Sequence, residues 1–189
     1  MSRAFRGLTV LLLAGATIWA AAGPAAAGVT RSTLGLASVF LTNPDPAGPE
    51  ILVPFDVFAP EGVDAFGRGE IFVLGFECVT EDAVPATVDG LASASAQGEL
   101  AYVCNSPTDS VTGTATVDLA WIADGRTRRV TTAGPFSPCV THLQIRHATV
   151  TGSVHILIPD LGVDVTATSP GDDDDSVRQE RSLCHPSRP

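Results

Sequence analysis

Apolar and polar residues alternate along most of this chain with a period of two, which is the pattern of a strand with one buried face. The clearest stretch runs from Val111 to Trp121, where most odd positions are apolar and threonine dominates the even ones. A second stretch, from Ala92 to Cys104, has its apolar residues at even positions. No stretch shows a convincing amphipathic-helix period. We therefore predict a chain of strands.

Three departures from simple alternation carry further predictions. The stretch from Ile71 to Cys78 is apolar on both faces over much of its length, which predicts one central strand. Pro54 lies within the strand predicted from Ile51 to Phe58, and because proline cannot donate to a neighbouring strand, we expect that strand at an edge. The apolar positions change from odd to even near Arg146-His147, which requires a bulge or a turn there.

Turn signals recur at regular intervals between the predicted strands. Asp124-Gly125 favours a two-residue type I′ hairpin, in which Trp121 would lie opposite Arg128. About eight or nine short strands with short hairpin connections predict an all-β fold, an antiparallel up-and-down β-barrel. The alternative is a two-sheet β-sandwich.

The first 27 residues have the order of a secretory signal peptide. Arg3 and Arg6 precede an apolar run over residues 8–14, and Ala25-Ala26-Ala27 supplies an A-x-A cleavage site. An uncleaved anchor would need about 20 predominantly apolar residues, and Gly23-Pro24 interrupts the run. We expect residues 1–27 to be removed and the product to be secreted into the extracellular space.

Composition changes abruptly after Ala167. A Ser-Pro-Gly sequence precedes four consecutive aspartates at 172–175, and a charged and then Pro/Ser-rich end follows. Calcium loops space their carboxylates around a glycine turn, which this run does not do. We therefore predict a single β-domain over residues 28–168 and a disordered acidic tail over residues 169–189.

All four cysteines lie in the expected mature chain, and an even number in an exported protein favours disulfides. Cys78 and Cys104 lie on the more apolar faces of their predicted strands, so we expect them to pair and to stabilise the fold by roughly 3 kcal/mol. Cys139 with Cys184 follows by elimination. The alternative is that Cys184 stays free or pairs with another molecule. No zinc-binding spacing is present, and we expect no metal and no cofactor.

Charge narrows the range of partners. The chain has 21 acidic and 11 basic residues and a formal charge of −10 at pH 7. Nucleic-acid binding needs clustered positive charge, so nucleic acid is not an expected partner. No later stretch is long enough to span a bilayer, so we expect no membrane association after cleavage. The expected partners are a small molecule or another extracellular protein.

One local arrangement supplies candidate ligand-binding residues. If the Asp124-Gly125 hairpin forms, Arg126 and Arg128 lie beside the indole of Trp121 at the mouth of the barrel. Guanidinium groups over an aromatic face can bind an anionic or polar ligand. The alternative interpretation is that Arg128 only stacks on Trp121 and covers the rim of the sheet.

Familiar catalytic signatures are absent from the sequence, which contains no G-x-S-x-G, H-E-x-x-H or G-x-x-x-x-G-K motif. His147 and His155 would lie about 26 Å apart on one extended strand, too far to share a metal, and His142 points the other way. We interpret these histidines as surface residues. A secreted enzyme is the third alternative for function.

Three runs resemble a group of uncharacterised small secreted proteins of actinobacteria: residues 115–121, residues 124–129 and residues 146–154. The shared pattern is a W-x-x-x-G hairpin followed by an A-T-A-T-G-S-V type of strand, which reads A-T-V-T-G-S-V here. The acidic tail with Cys184 is not part of that pattern. The resemblance covers about a third of the chain and implies secretion and β-structure, without an activity.

Together these observations predict a secreted, non-catalytic binding module that takes a small apolar or anionic ligand in a barrel cavity or mouth. The alternative is an extracellular structural or surface-interaction protein with a filled core. The volume of the interior separates the two, because ligand cavities usually need several hundred cubic ångströms.

Overall fold

The computed structural model describes residues 30–133, 139–171 and 174–185, so the predicted signal peptide lies outside the described residues. Twelve strands and a 3-10 turn at Pro159–Leu161 make up the described fold. The strands are β1 (Thr30–Thr42), β2 (Ile51–Pro60), β3 (Phe66–Gly69), β4 (Ile71–Val73), β5 (Phe76–Val79), β6 (Val84–Asp89), β7 (Ser93–Asn105), β8 (Ser110–Ala123), β9 (Arg128–Ala133), β10 (Cys139–Ile158), β11 (Val163–Ala167) and β12 (Ser176–Cys184).

The twelve strands form eight courses that close into a ring. Four courses consist of two strands lying in line along the same neighbour: β3 with β4, β5 with β6, β8 with β9, and β11 with β12. Each course pairs antiparallel with the next, and β12 returns to β1. The predicted all-β antiparallel fold is confirmed. Closure in chain order is also what an up-and-down barrel requires.

Apolar side chains fill the interior of the ring. On β7 and β8 the buried residues are those that the period of two predicts, among them Leu100, Val117 and Leu119. Trp121 is fully buried, its ring centroid lies 6.4 Å from that of Phe55, and its Nε1 donates to the Ser38 carbonyl at 3.1 Å. A buried indole is stable when its N–H has such a partner.

The predicted central strand from Ile71 to Cys78 is wrong, because the chain reverses at Leu74-Gly75. Both residues have positive φ, 51° and 82°, and Val73 pairs directly with Phe76. A two-residue turn of this handedness suits a twisted hairpin. The turn also changes which positions face inward, from odd on β4 to even on β5. Apolar residues on both faces of this stretch therefore reflect a change of parity.

The strand that contains Pro54 is not at an edge, contrary to the prediction. β2 pairs with β1 on one side and with β3 and β4 on the other. The Pro54 carbonyl accepts from the Glu70 N–H at 3.2 Å, at the break between β3 and β4. The N–H and C=O of one residue point to the same side of a strand. The N–H that Pro54 lacks would therefore face this break, so no pairing bond with a neighbouring strand is lost.

The C-terminal segment carries a strand where a disordered acidic tail was predicted. β12 lies between β1 and β10 and pairs with nine residues of each. Val177 is fully buried, and the Asp175 carbonyl accepts from the Ala148 N–H at 2.9 Å. Pairing on both sides orders a polar segment that has no apolar pattern of its own. The β-domain therefore extends beyond residue 168.

Both predicted disulfides are present: Cys78–Cys104 and Cys139–Cys184. In each bridge the two cysteines are direct partners on neighbouring strands. The bridge to Cys104 is fully buried in the ring, whereas Cys184 is only half-buried at the end of β12. Two such bridges indicate that the chain folds in an oxidising environment.

Candidate functional site

The predicted hairpin at Asp124-Gly125 is wrong. Ala123 pairs with Ala148 of β10, and Arg128 pairs with Ile145 of the same strand. The chain therefore continues in one direction past Asp124, with four residues opposite the two residues Arg146 and His147. The interruption predicted near Arg146-His147 is absent: β10 is continuous there and keeps its register with β12, and the bulge lies in the neighbouring course.

Side chains of β10 hold this bulge in place. The Asp124 carboxylate accepts from His147 Nδ1 and from the Thr149 hydroxyl, both at 2.6 Å, and these hydrogen bonds lower the pKa of Asp124. The Arg146 guanidinium donates to three carbonyl oxygens, those of Gly125, Leu91 and Ala123, at 3.0–3.3 Å. A Cβ on Gly125 would lie 3.1 Å from the His147 Cβ. Glycine here permits a close approach of two strands.

This geometry separates the three candidate ligand-binding residues. Trp121 lies in the core at 0% exposure, whereas Arg126 and Arg128 are exposed in the bulge and on β9. The only cation near a ring face in the described part of the chain is Arg68, 5.4 Å from the centroid of Phe58. The described residues therefore do not form the predicted mouth of one indole and two guanidinium groups.

A concave site lies on the outer face of the ring. It is a groove of about 950 Å³ whose floor consists of two rows of outward-facing side chains. The strand register sets both rows: one contains Val79, Val103 and Thr112, and the other contains Ala101, Thr114 and Leu157. Val79, Val103 and Leu157 are each 39–47% exposed. Four courses of the ring thus contribute to one largely apolar floor.

Two turns form the walls of the groove. One is the loop of Thr80, Glu81 and Asp82 between β5 and β6, where the Asp82 N–H donates to Thr80 Oγ1 at 3.0 Å. The other begins at Pro159 of the 3-10 turn. Glu81 and Asp82 are exposed, so the wall on that side carries negative charge. The site combines an apolar floor with an acidic rim.

Tyr102 lies beneath this floor. Its side chain points into the ring, where the hydroxyl donates to the Gly69 carbonyl at 3.1 Å. Burial of the phenol raises its pKa, and the charge of Glu70 raises it further. The hydroxyl therefore stays protonated and contributes to the support of the floor.

The histidines form two surface pairs with carboxylates. His147 pairs with Asp124, and His155 Nε2 donates to Asp164 Oδ1 at 2.8 Å. The Thr149 hydroxyl donates to Asp124, so the imidazole does not activate it as a nucleophile. Among residues 30–133, 139–171 and 174–185, no three His, Cys, Asp or Glu side chains are grouped closely enough to hold a metal ion.

No pattern in the sequence predicted the groove. The residues of its floor come from β5, β7, β8 and β10, and only the register of these strands brings them together. The one signal in the sequence was the presence of apolar residues at outward positions such as Val103 and Leu157, where polar residues are the rule.

No family model, no curated protein and no solved structure matches this chain. In the described part of the chain, no helix is long and apolar enough to cross a membrane.

Proposed function

We propose that this protein is a secreted, extracellular binding module without catalytic activity, which holds a small apolar ligand in the outer groove. The observation that carries the proposal is the groove itself: a concave site of about 950 Å³ with an apolar floor. Ligand pockets usually have volumes of about 300–1,000 Å³ and are lined mainly by apolar side chains. The predicted signal peptide and the two disulfides support an extracellular location.

The charge of the rim narrows the ligand further. Glu81 and Asp82 lie on the wall of the groove, and the whole chain carries a formal charge of −10. Like charges repel across a partly desolvated site, so we expect a neutral or cationic apolar ligand. Of the two ligand types predicted from sequence, the apolar type fits this site and the anionic type does not.

The packed interior favours a second candidate, an extracellular surface-interaction protein. Its core is filled, as that candidate requires, although the strand from Ile51 to Phe58 offers no exposed edge because both of its sides are paired. Both candidates act through the outer surface. They differ in whether the groove takes a small molecule.

A charge placed on the floor tests the proposal. Arginine at Val103 would occupy the centre of one floor row and bring a positive charge into the apolar surface. We expect Val103→Arg to weaken binding of the neutral dye Nile red at least tenfold, measured by fluorescence titration. Ile122→Arg is the matched control, because Ile122 is also an exposed residue on an outer face but does not line the groove.

Two results would refute the groove as the binding site. One is unchanged dye affinity in Val103→Arg with wild-type melting. The other is an equal loss of affinity in Ile122→Arg. If the wild-type protein binds neither neutral nor cationic apolar molecules, the surface-interaction candidate replaces the binding module.

A further inference from the structure

The strand β9 has a neighbouring strand on one side only. β9 pairs with β10 from Arg128 opposite Ile145 to Ala133 opposite Val140. On the other side, the pairing of β7 with β8 stops at Ser93, which lies opposite Ile122. The strand β7 therefore does not extend alongside β9. No other strand in the described part of the chain pairs with β9. Its second edge therefore presents a row of backbone N–H and C=O groups.

Positive charge is concentrated at this edge of an acidic protein. Arg126, Arg128 and Arg129 lie within four residues of one another, and all three are exposed. The only ion pairs in the described part of the chain involve histidine, so none of these arginines has a described carboxylate within 4.0 Å. Asp124 lies nearby, but its carboxylate already accepts from two side chains of β10.

The two arginines on β9 point to opposite faces, because successive side chains of a strand alternate. Arg128 lies in a row with Ile145 and Arg178, and Arg129 lies in a row with Gln144 and Gln179. A strand added to this edge would meet one guanidinium on each face. Acidic side chains at adjacent positions of that strand would pair with both.

We propose that the free edge of β9 binds an extended acidic peptide segment of a partner protein as an added strand. The backbone groups of the edge select a peptide, since only a peptide supplies donors and acceptors at the spacing of a strand. The arginines select acidic side chains. A second copy of this chain is a poor partner for the edge, because β9 carries two arginines and no acidic residue that could pair with the arginines of the other copy.

Backbone hydrogen exchange tests the proposal directly. The probe is the peptide acetyl-Thr-Val-Asp-Asp-Val-Thr-amide, and its matched control has lysine in place of both aspartates. In the free protein, alternate amides of residues 128–133 point to the free edge and exchange fast. We expect the acidic peptide at saturation to slow these amides at least tenfold. The lysine peptide should leave them unchanged.

Three outcomes of this experiment would overturn the proposal. The first is no added protection with the acidic peptide. The second is equal protection with the lysine peptide. The third is the same protection with inorganic polyphosphate, because a polyanion without a backbone should attract the arginines without protecting the edge amides.

Charge variants give an independent test. Arg128→Glu/Arg129→Glu should weaken binding of the acidic peptide at least tenfold, because each arginine would be replaced by a like charge. The matched control is Arg31→Glu/Arg68→Glu, which changes the net charge equally at exposed residues of β1 and β3. Equal losses in the two double variants would show that only net charge matters and would overturn the proposal.

A pair of proline variants tests the backbone contribution. Neighbouring N–H groups of a strand point to opposite sides, so one of Val130→Pro and Thr131→Pro removes a free donor and the other breaks a bond to β10. The melting temperature distinguishes them. We expect the variant with the smaller loss of melting temperature to lose binding of the acidic peptide. Wild-type affinity in that variant would overturn the added-strand mode.

Discussion

Removal of the disulfide between Cys139 and Cys184 tests whether the C-terminal strand closes the ring. The bridge joins the first residue of β10 to the last residue of β12, and the two are direct partners in the sheet. Replacement of both cysteines by serine keeps the size of the side chains and removes only the bond. The assay is urea unfolding of the oxidised wild type and of Cys139→Ser/Cys184→Ser.

The expected loss follows from the length of the closed loop. The two cysteines are 45 residues apart, and the loop-entropy relation gives about 4 kcal/mol for a loop of this size. For Cys78 and Cys104, 26 residues apart, the same relation gives about 3.5 kcal/mol. Such a gain requires both ends to be held in the folded state. A bridge to a disordered tail would restrict the folded and the unfolded chain almost equally.

Loss of the bridge should therefore lower the free energy of unfolding by several kilocalories per mole more if β12 is a strand of the ring than if the C-terminal segment is disordered. We expect Cys139→Ser/Cys184→Ser to lower the free energy of unfolding by about 4 kcal/mol and to retain a single cooperative transition. Val177→Ala provides a check that does not depend on the disulfide, because Val177 is fully buried between β1 and β10. A loss below about 1 kcal/mol in both variants would refute the role of β12 as a strand of the ring.

Three further predictions concern the interior and the bulge. Trp121→Ala should lower the free energy of unfolding in urea by about 3–5 kcal/mol, because it leaves a cavity and an unpaired Ser38 carbonyl. A loss as small as that of a surface substitution would contradict the burial of Trp121. Tyr102 is the only tyrosine in the sequence, and burial raises its pKa above the ordinary 10.0. Tyrosinate absorbance should therefore appear only on unfolding, and the free energy of unfolding should fall as pH rises above 10.0. The pKa of Asp124 is lowered, so its stabilising effect is present above 3.8 and lost as pH falls through the folded value. The difference in melting temperature between wild type and Asp124→Asn should therefore shrink below pH 3.8, and a constant difference would contradict this.

The period of two predicted the inner faces of β7 and β8 because those strands are long and continuous. The same parity argument placed Cys78 opposite Cys104, and the structure confirms the bridge. Each of these predictions needs only the alternation of neighbouring residues. Their success follows from physics that is local to one or two strands.

Glycine has different roles in the two turn-like dipeptides Leu74-Gly75 and Asp124-Gly125. Gly75 turns the chain with a positive φ, whereas Gly125 permits a close approach to His147 in a course that continues. The dipeptide Asp124-Gly125 is the stronger hairpin signal of the two, yet the side chains that decide its role lie on β10. Information about a partner strand is absent from a local sequence pattern.

The groove and β12 could not be predicted for a related reason. The floor of the groove needs Val79, Val103 and Leu157 from three courses in two neighbouring rows of the ring. β12 has a polar sequence in which Val177 is its one fully buried apolar residue. Both depend on register between distant parts of the chain, which alternation along a single strand does not encode.

We propose that this protein has a filled interior and binds an apolar ligand on its outer surface. Methyl NMR of the oxidised, processed protein during titration with a neutral apolar molecule such as Nile red tests this proposal. We expect shifts at Val79, Val103 and Leu157, and none at the buried methyl groups of Val117 and Leu119. Shifts at the buried methyl groups, with the outer ones unchanged, would place the ligand inside the ring and contradict the account.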